Sequence, residues 1–107
     1  MARRQPTTGR VGVPLRALLE ARRDEIKAIV TQHRGQRVRV FGSVARGEDR
    51  TGSDIDLLVD FEPDSSLFDL RHLSEALSDL LEHPVDVVSA GGLKPRDRTI
   101  LDEAIEL

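Results

Sequence analysis

The sequence predicts an α/β fold in which a small mixed sheet of three strands is flanked by about four helices. Short β-prone runs alternate with longer segments whose leucines and isoleucines recur at helical spacing. The strands are expected at residues 38–41, 54–61 and 85–88. A chain of 107 residues fits one domain of this kind.

Four helices are expected around this sheet. The first begins near Pro14, which can occupy a first helical turn without losing a hydrogen bond, and it ends at Gly35. A single helical turn follows at residues 43–46, and a leucine-rich helix spans residues 67–81. The closing helix is expected from about residue 96 to 106, with inward-facing Ile100, Leu101, Ala104 and Ile105.

The composition narrows the class of protein. Residues 1–12 have no periodicity and are expected to form a flexible tail, with the domain at 13–107. No apolar run has the length of a membrane span, and no secretory signal follows the basic N-terminus. The absence of cysteine fits a cytoplasmic protein. A net charge of −3 and the lack of Tyr and Trp argue against direct nucleic-acid binding.

Two short motifs carry the chemistry. Gly42-Ser43 ends the first strand and opens a helical turn, where free N–H groups and a hydroxyl suit phosphate oxygens. Asp54 and Asp56 occupy alternate positions of the second strand, so both face the same side. Two converging carboxylates repel each other unless a cation lies between them. Mg²⁺, which binds a few carboxylates together with substrate phosphates, is the expected ion.

Two further residues have alternative interpretations. Arg46 lies three residues after Ser43 and could bind a triphosphate or pair with Glu48 or Asp49. Asp86 interrupts a run of valines, which by itself indicates an outward position on a half-exposed strand. Together with the Asp54 and Asp56 pair it becomes a candidate third carboxylate.

Gly42-Ser43, ten intervening residues and Asp54-Ile55-Asp56 resemble the signature of the polymerase β-like nucleotidyltransferase superfamily. Arg46-Gly47 and Ser53 are typical of its minimal nucleotidyltransferases, the MntA-type antitoxins. The resemblance implies that the protein transfers AMP from ATP. It also implies that the reaction needs two Mg²⁺ ions, which Asp54, Asp56 and Asp86 would hold. Gly42 and Ser43, with Arg46, would bind the phosphates, and Asp86 is the residue placed to match the superfamily's third acid.

The resemblance also implies a partner. Larger members of the superfamily carry a further domain that holds the acceptor, whereas here the acceptor is expected to be a separate protein. Minimal members silence HEPN-type RNase toxins by adding AMP to a tyrosine. Two alternatives remain open: an antitoxin that acts by stoichiometric binding alone, and a catalytic subunit acting on a small molecule or an RNA end.

Overall fold

The computed structural model describes residues 15–49 and 53–107, and its centre is a mixed four-stranded sheet. The strands are β1 (Gly35–Phe41), β2 (Ile55–Phe61), β3 (Val85–Ser89) and β4 (Ile105–Glu106), in the spatial order β3-β2-β1-β4. Strand β1 runs antiparallel to β2 and β4, and β2 runs parallel to β3. The predicted mixed sheet is confirmed, but the number of strands was underestimated by one.

Within those ranges the chain forms five α-helices: α1 (Leu15–Ala21), α2 (Arg23–Gln32), α3 (Gly42–Arg46), α4 (Leu67–Leu81) and α5 (Arg98–Glu103). Helix α4 has the predicted bounds, and Ser66 N donates to Asp69 Oδ2 over 2.9 Å at its start. Two 3₁₀ turns, residues 90–92 and 95–97, connect β3 to α5. None of the described helices is long and apolar enough to cross a membrane. The predicted tail at residues 1–12 lies outside the described part of the chain.

The first helix differs from its prediction at two places. It divides at Arg22, whose φ of −108° and ψ of 15° separate α1 from α2. It also ends before Gly35, because Arg34 turns the chain with a left-handed φ of 66°. Gly35 is instead the first residue of β1 and is buried.

The fourth strand replaces the last turn of the predicted closing helix. Helix α5 ends at Glu103, and Ile105 pairs with Val40 of β1. Leu107 N then donates to Val38 O over 3.3 Å. The edge of β1 offers unpaired backbone groups, and pairing with them satisfies both strands. Helical periodicity could not show this, because the partner strand lies far away in the sequence.

The hydrophobic core lies between one face of the sheet and helices α2 and α4. The alternate apolar residues of β2, Ile55, Leu57 and Val59, are fully buried in this core. They pack there with the helical residues Leu19, Ile26, Leu73 and Leu77. Leu58 is also fully buried, although it faces the opposite side, where the turn at residues 90–92 lies against β2. Leu101, expected to face inward, is 45% exposed on α5.

Replacing Gly35 with alanine is expected to destabilise the fold. A Cβ at this position would overlap Val30 Cγ1 and lie 3.0 Å from both Val30 O and Val59 Cγ1. Overpacking of this kind costs about 1–3 kcal/mol. Urea unfolding of Gly35→Ala measures the loss, and Gly92→Ala is the matched control, because a Cβ there meets no atom within 4 Å. Equal stability of the two variants would contradict the close packing at Gly35.

Candidate active site

Two of the predicted acids are brought together by the pairing of β2 with β3. The register places Asp56 directly beside Asp86 on neighbouring parallel strands, which lie about 4.8 Å apart in a sheet. Because paired residues share a face, both side chains project from the face opposite the helical core. Asp54 directly precedes β2, two residues before Asp56. Asp56 is half-buried, whereas Asp54 and Asp86 are exposed.

The Gly-Ser motif lies against the same acid. Phe41 pairs with Asp56, so Gly42, the next residue, begins α3 beside that carboxylate. Gly42 has a left-handed φ of 74°, and a Cβ added to it would overlap Asp56 Oδ2. Only glycine allows both this backbone conformation and this approach. The structure therefore explains why glycine rather than another small residue stands before Ser43.

Partial burial raises the pKa of Asp56 above the usual range of an aspartate. The negative charges of Asp86 and Asp54 raise this pKa further, and the guanidinium of Arg46 opposes the increase. Asp56 is therefore the carboxylate on which the charges of the other two acids, Asp86 and Asp54, act. Its charged form is disfavoured by the surroundings that the fold provides.

The donor set suits a divalent cation, although no closed metal cage is present. Among residues 15–49 and 53–107, no three His, Cys, Asp or Glu side chains are gathered into a group that could hold a metal ion. Carboxylates on adjacent strands that disfavour each other's charge are nevertheless stabilised by a shared cation. Mg²⁺ needs few protein ligands, since substrate phosphates and water complete its shell. Asp56 and Asp86, in register on adjacent strands, thus offer two ligands to such an open site, and Asp54 lies two residues before Asp56.

Arg46 makes ion pairs with two glutamates. Its Nε lies 2.8 Å from Glu48 Oε1, and its NH1 lies 3.0 Å from Glu103 Oε1. Glu48 is one of the two partners that the sequence predicts for Arg46, whereas the other, Asp49, accepts a hydrogen bond from Leu15 N over 3.1 Å. Arg46 is 44% exposed at its side chain and close enough to Asp56 to affect its pKa. A phosphate role for Arg46 remains a prediction.

The sequence interpretation missed a residue that supports this site. His83 is half-buried, and its Nε2 lies 2.6 Å from Ser53 O. A helix between two strands indicates a parallel crossover, so the residues before both strands meet at the same end of the sheet. That topological signal could have placed His83 beside the Asp54 segment.

Comparison with known proteins agrees with this geometry. Residues 23–107 match the model of a family described as the nucleotidyltransferase domain. The chain is 38% identical over 91 residues to the protein adenylyltransferase MntA of Thermococcus cleftensis. That alignment covers 77% of this chain and 92% of the relative.

Solved structures show the same fold. A candidate minimal nucleotidyltransferase superposes with a TM-score of 0.77 at 50% identity, over 85% of this chain and 94% of the other. A chain from the complex of a tri-AMPylated Shewanella oneidensis HEPN toxin with its MNT antitoxin superposes with a TM-score of 0.62. It is 17% identical, and the match covers 81% of this chain and 69% of that one. The second likeness concerns the fold alone.

Proposed function

Because this chain belongs to the nucleotidyltransferase domain family and is an enzyme of that kind, we propose that it transfers AMP from ATP to a hydroxyl group of a partner protein. The observation that carries the proposal is the in-register pair of Asp56 and Asp86, with Gly42 against Asp56. In this arrangement the two acids and the backbone of Gly42, which lies against Asp56, are on the same face of the sheet. It suits positioning of a triphosphate beside an acceptor that another molecule supplies.

In this proposal the three acids hold Mg²⁺, which when bound neutralises phosphate charge and polarises the phosphate oxygens. Asp54 and Asp56 provide the central ligands, and Asp86 lies on the acceptor side. Gly42 and Ser43 receive the β- and γ-phosphates, since the missing Cβ lets the backbone lie against the Asp56 carboxylate and the Ser43 hydroxyl can donate a hydrogen bond. Arg46 would contribute to phosphate binding by leaving one of its two glutamate partners.

The reaction exchanges a phosphoanhydride bond of ATP for a phosphate ester on the acceptor. The acceptor hydroxyl oxygen forms a bond to the α-phosphorus of ATP, while the bond between that phosphorus and the pyrophosphate oxygen breaks. The carboxylate of Asp86 can accept the hydroxyl proton and pass it to water. Pyrophosphate leaves with the electron pair of the broken bond. The protein contributes mainly orientation and charge stabilisation.

We further propose that the acceptor is a tyrosine of a HEPN-type toxin and that this chain is its antitoxin. The relative named MntA and the fold shared with an MNT antitoxin that was solved with an AMPylated HEPN toxin support this proposal. This chain contains no tyrosine, so it cannot itself be the tyrosine acceptor. A purely stoichiometric antitoxin is the competing function, and the experiment below separates the two.

The test mixes the purified protein with the protein encoded by the neighbouring reading frame, which this proposal predicts to be a HEPN protein, together with ATP and Mg²⁺, and measures the mass of the partner. We expect one or more AMP additions on a partner tyrosine with the parent protein and none with Asp54→Ala. The variant should still bind the partner, because the lost carboxylate lies in the site. A partner that stays unmodified but is inhibited equally by parent and variant would establish the stoichiometric mechanism instead.

Ser43→Ala is expected to weaken ATP binding while preserving the fold. Alanine suits a helical turn, so α3 should form as before. Loss of one hydrogen bond to a charged phosphate costs about 1.5–3 kcal/mol, or roughly 10–100-fold in affinity. Titration calorimetry with Mg²⁺ and a non-hydrolysable ATP analogue measures this effect. Ser65→Ala, in the turn at the far end of β2, is the matched control. If Ser43→Ala binds the ATP analogue as tightly as the parent, Ser43 has only a structural role in the turn.

A further inference from the structure

The backbone around Asp54 is held from both sides by one short segment. On the N-terminal side, His83 Nε2 donates to Ser53 O over 2.6 Å. On the C-terminal side, Ile55 N donates to Pro84 O over 3.0 Å. His83 and Pro84 are consecutive and directly precede β3, the strand that carries Asp86. The position of Asp54 is therefore tied to the strand of the third acid.

The segment that provides these bonds is itself anchored to α4. His83 N donates to Ser78 O over 3.3 Å, and Val85 N donates to Ser78 Oγ over 3.1 Å. Ser74 Oγ donates to Val85 O over 2.7 Å. Two serines one helical turn apart thus hold both backbone groups of Val85. These bonds fix the backbone of His83 relative to α4, so that its imidazole is held within hydrogen-bonding distance of Ser53 O.

The hydrogen bond to Ser53 O determines that the His83 ring is protonated at Nε2. A carbonyl oxygen accepts hydrogen bonds and cannot donate them, so Nε2 must carry the proton. The ring is half-buried, whereas Asp54 is exposed. The bond therefore joins a half-buried side chain to the backbone of an exposed acidic segment.

We propose that His83 is a positioning residue that sets the backbone of Asp54 for metal and nucleotide binding, an inference that rests on the proposed function. Its N–H fixes the carbonyl just before Asp54, and the carboxylate is thereby held at one end of the acidic group. Metal-site ligands are commonly oriented by such outer hydrogen bonds, and their removal typically costs about 10–100-fold in metal affinity. His83 itself contacts neither metal nor nucleotide in this proposal.

The test compares His83→Leu, which removes the donor, with His83→Gln, which keeps an N–H near the same place. Mn²⁺ serves as the probe, and electron paramagnetic resonance measures its affinity in the presence of a non-hydrolysable ATP analogue. His33→Leu is the matched control, because half-buried His33 donates from Nδ1 to Ile29 O over 2.8 Å away from the site. Hydrogen exchange of the Ile55 amide, measured without metal, reports directly on the Asp54 segment.

We expect His83→Leu to bind Mn²⁺ about 10–100-fold more weakly and to exchange the Ile55 amide faster, with His83→Gln and His33→Leu close to the parent. If His83→Leu binds Mn²⁺ like the parent while Asp54→Asn loses binding, the role of His83 is overturned and the proposed metal site stands. Equal weakening in His83→Leu and His83→Gln would overturn it as well. Absence of Mn²⁺ binding by the parent would overturn the proposed site and this role with it.

Discussion

Asp56→Asn is expected to reduce AMP transfer by about 10²–10³-fold or more and, at the same time, to raise the melting temperature of the metal-free protein. Activity falls because the central carboxylate of the site is lost. Stability rises because Asp56 is half-buried between Asp54 and Asp86, so its charge is disfavoured by burial and by both neighbours. Calorimetry without divalent cations and a partner-mass assay with Mg²⁺ measure the two effects.

Asp60→Asn is the matched control on the same face of β2. Asp60 Oδ1 lies 3.3 Å from Arg39 NH2, and the Arg39 side chain is only 14% exposed. Removing its carboxylate partner should destabilise the protein by about 1–3 kcal/mol and leave transfer unchanged. The two variants should therefore show opposite patterns of stability and activity. An Asp56→Asn protein that retains a tenth of the parent rate would contradict the assigned role of Asp56.

The second large effect is expected from Gly42→Ala, which should lower transfer by about 10²-fold or more, because the added methyl displaces the Asp56 carboxylate. The variant should also lose about 1–2 kcal/mol of stability, since alanine is strained at a φ of 74°. Transfer rates at saturating ATP and urea unfolding separate these two consequences.

Gly47→Ala is the control that separates backbone strain from displacement of the Asp56 carboxylate. Gly47 has nearly the same left-handed φ, 72°, but a Cβ added there meets no atom within 4 Å. It should show a similar loss of stability with transfer close to that of the parent. If both variants lose transfer equally, strain in α3 rather than displacement of Asp56 explains the loss.

The elements that were predictable from the sequence depend on local patterns. Helix α4 has its predicted bounds because leucines at helical spacing follow a turn, and Ser66 and Asp69 interact locally at its start. The inward row of β2, Ile55, Leu57 and Val59, follows from the two-residue period of a strand. The Gly42, Asp54 and Asp56 pattern could be recognised because its spacing reflects the end of β1, the short helix α3 and the return of the chain into β2.

The features that escaped prediction depend on contacts between distant segments. Strand β4 forms because β1 has a free edge, and residues 105–106 alone do not reveal it. The division at Arg22 carries no Gly or Pro signal. The ion pair of Arg46 with Glu103 joins residues 57 positions apart, and the bond of His83 to Ser53 spans 30 positions. Such pairs follow from the topology of the sheet rather than from local periodicity.

The arrangement of strands also sets the order in which the acids can come together during folding. Gly42 and Asp56 meet through β1 and β2, which are consecutive antiparallel strands and close a comparatively short loop. Asp86 joins them only when β3 pairs in parallel with β2, a contact that closes the longer loop containing α4. A partly folded chain holding only the antiparallel pair thus presents an incomplete set of carboxylates. In the proposed mechanism, metal-dependent nucleotide binding would therefore be a property of the finished sheet, and binding would act chiefly by slowing unfolding.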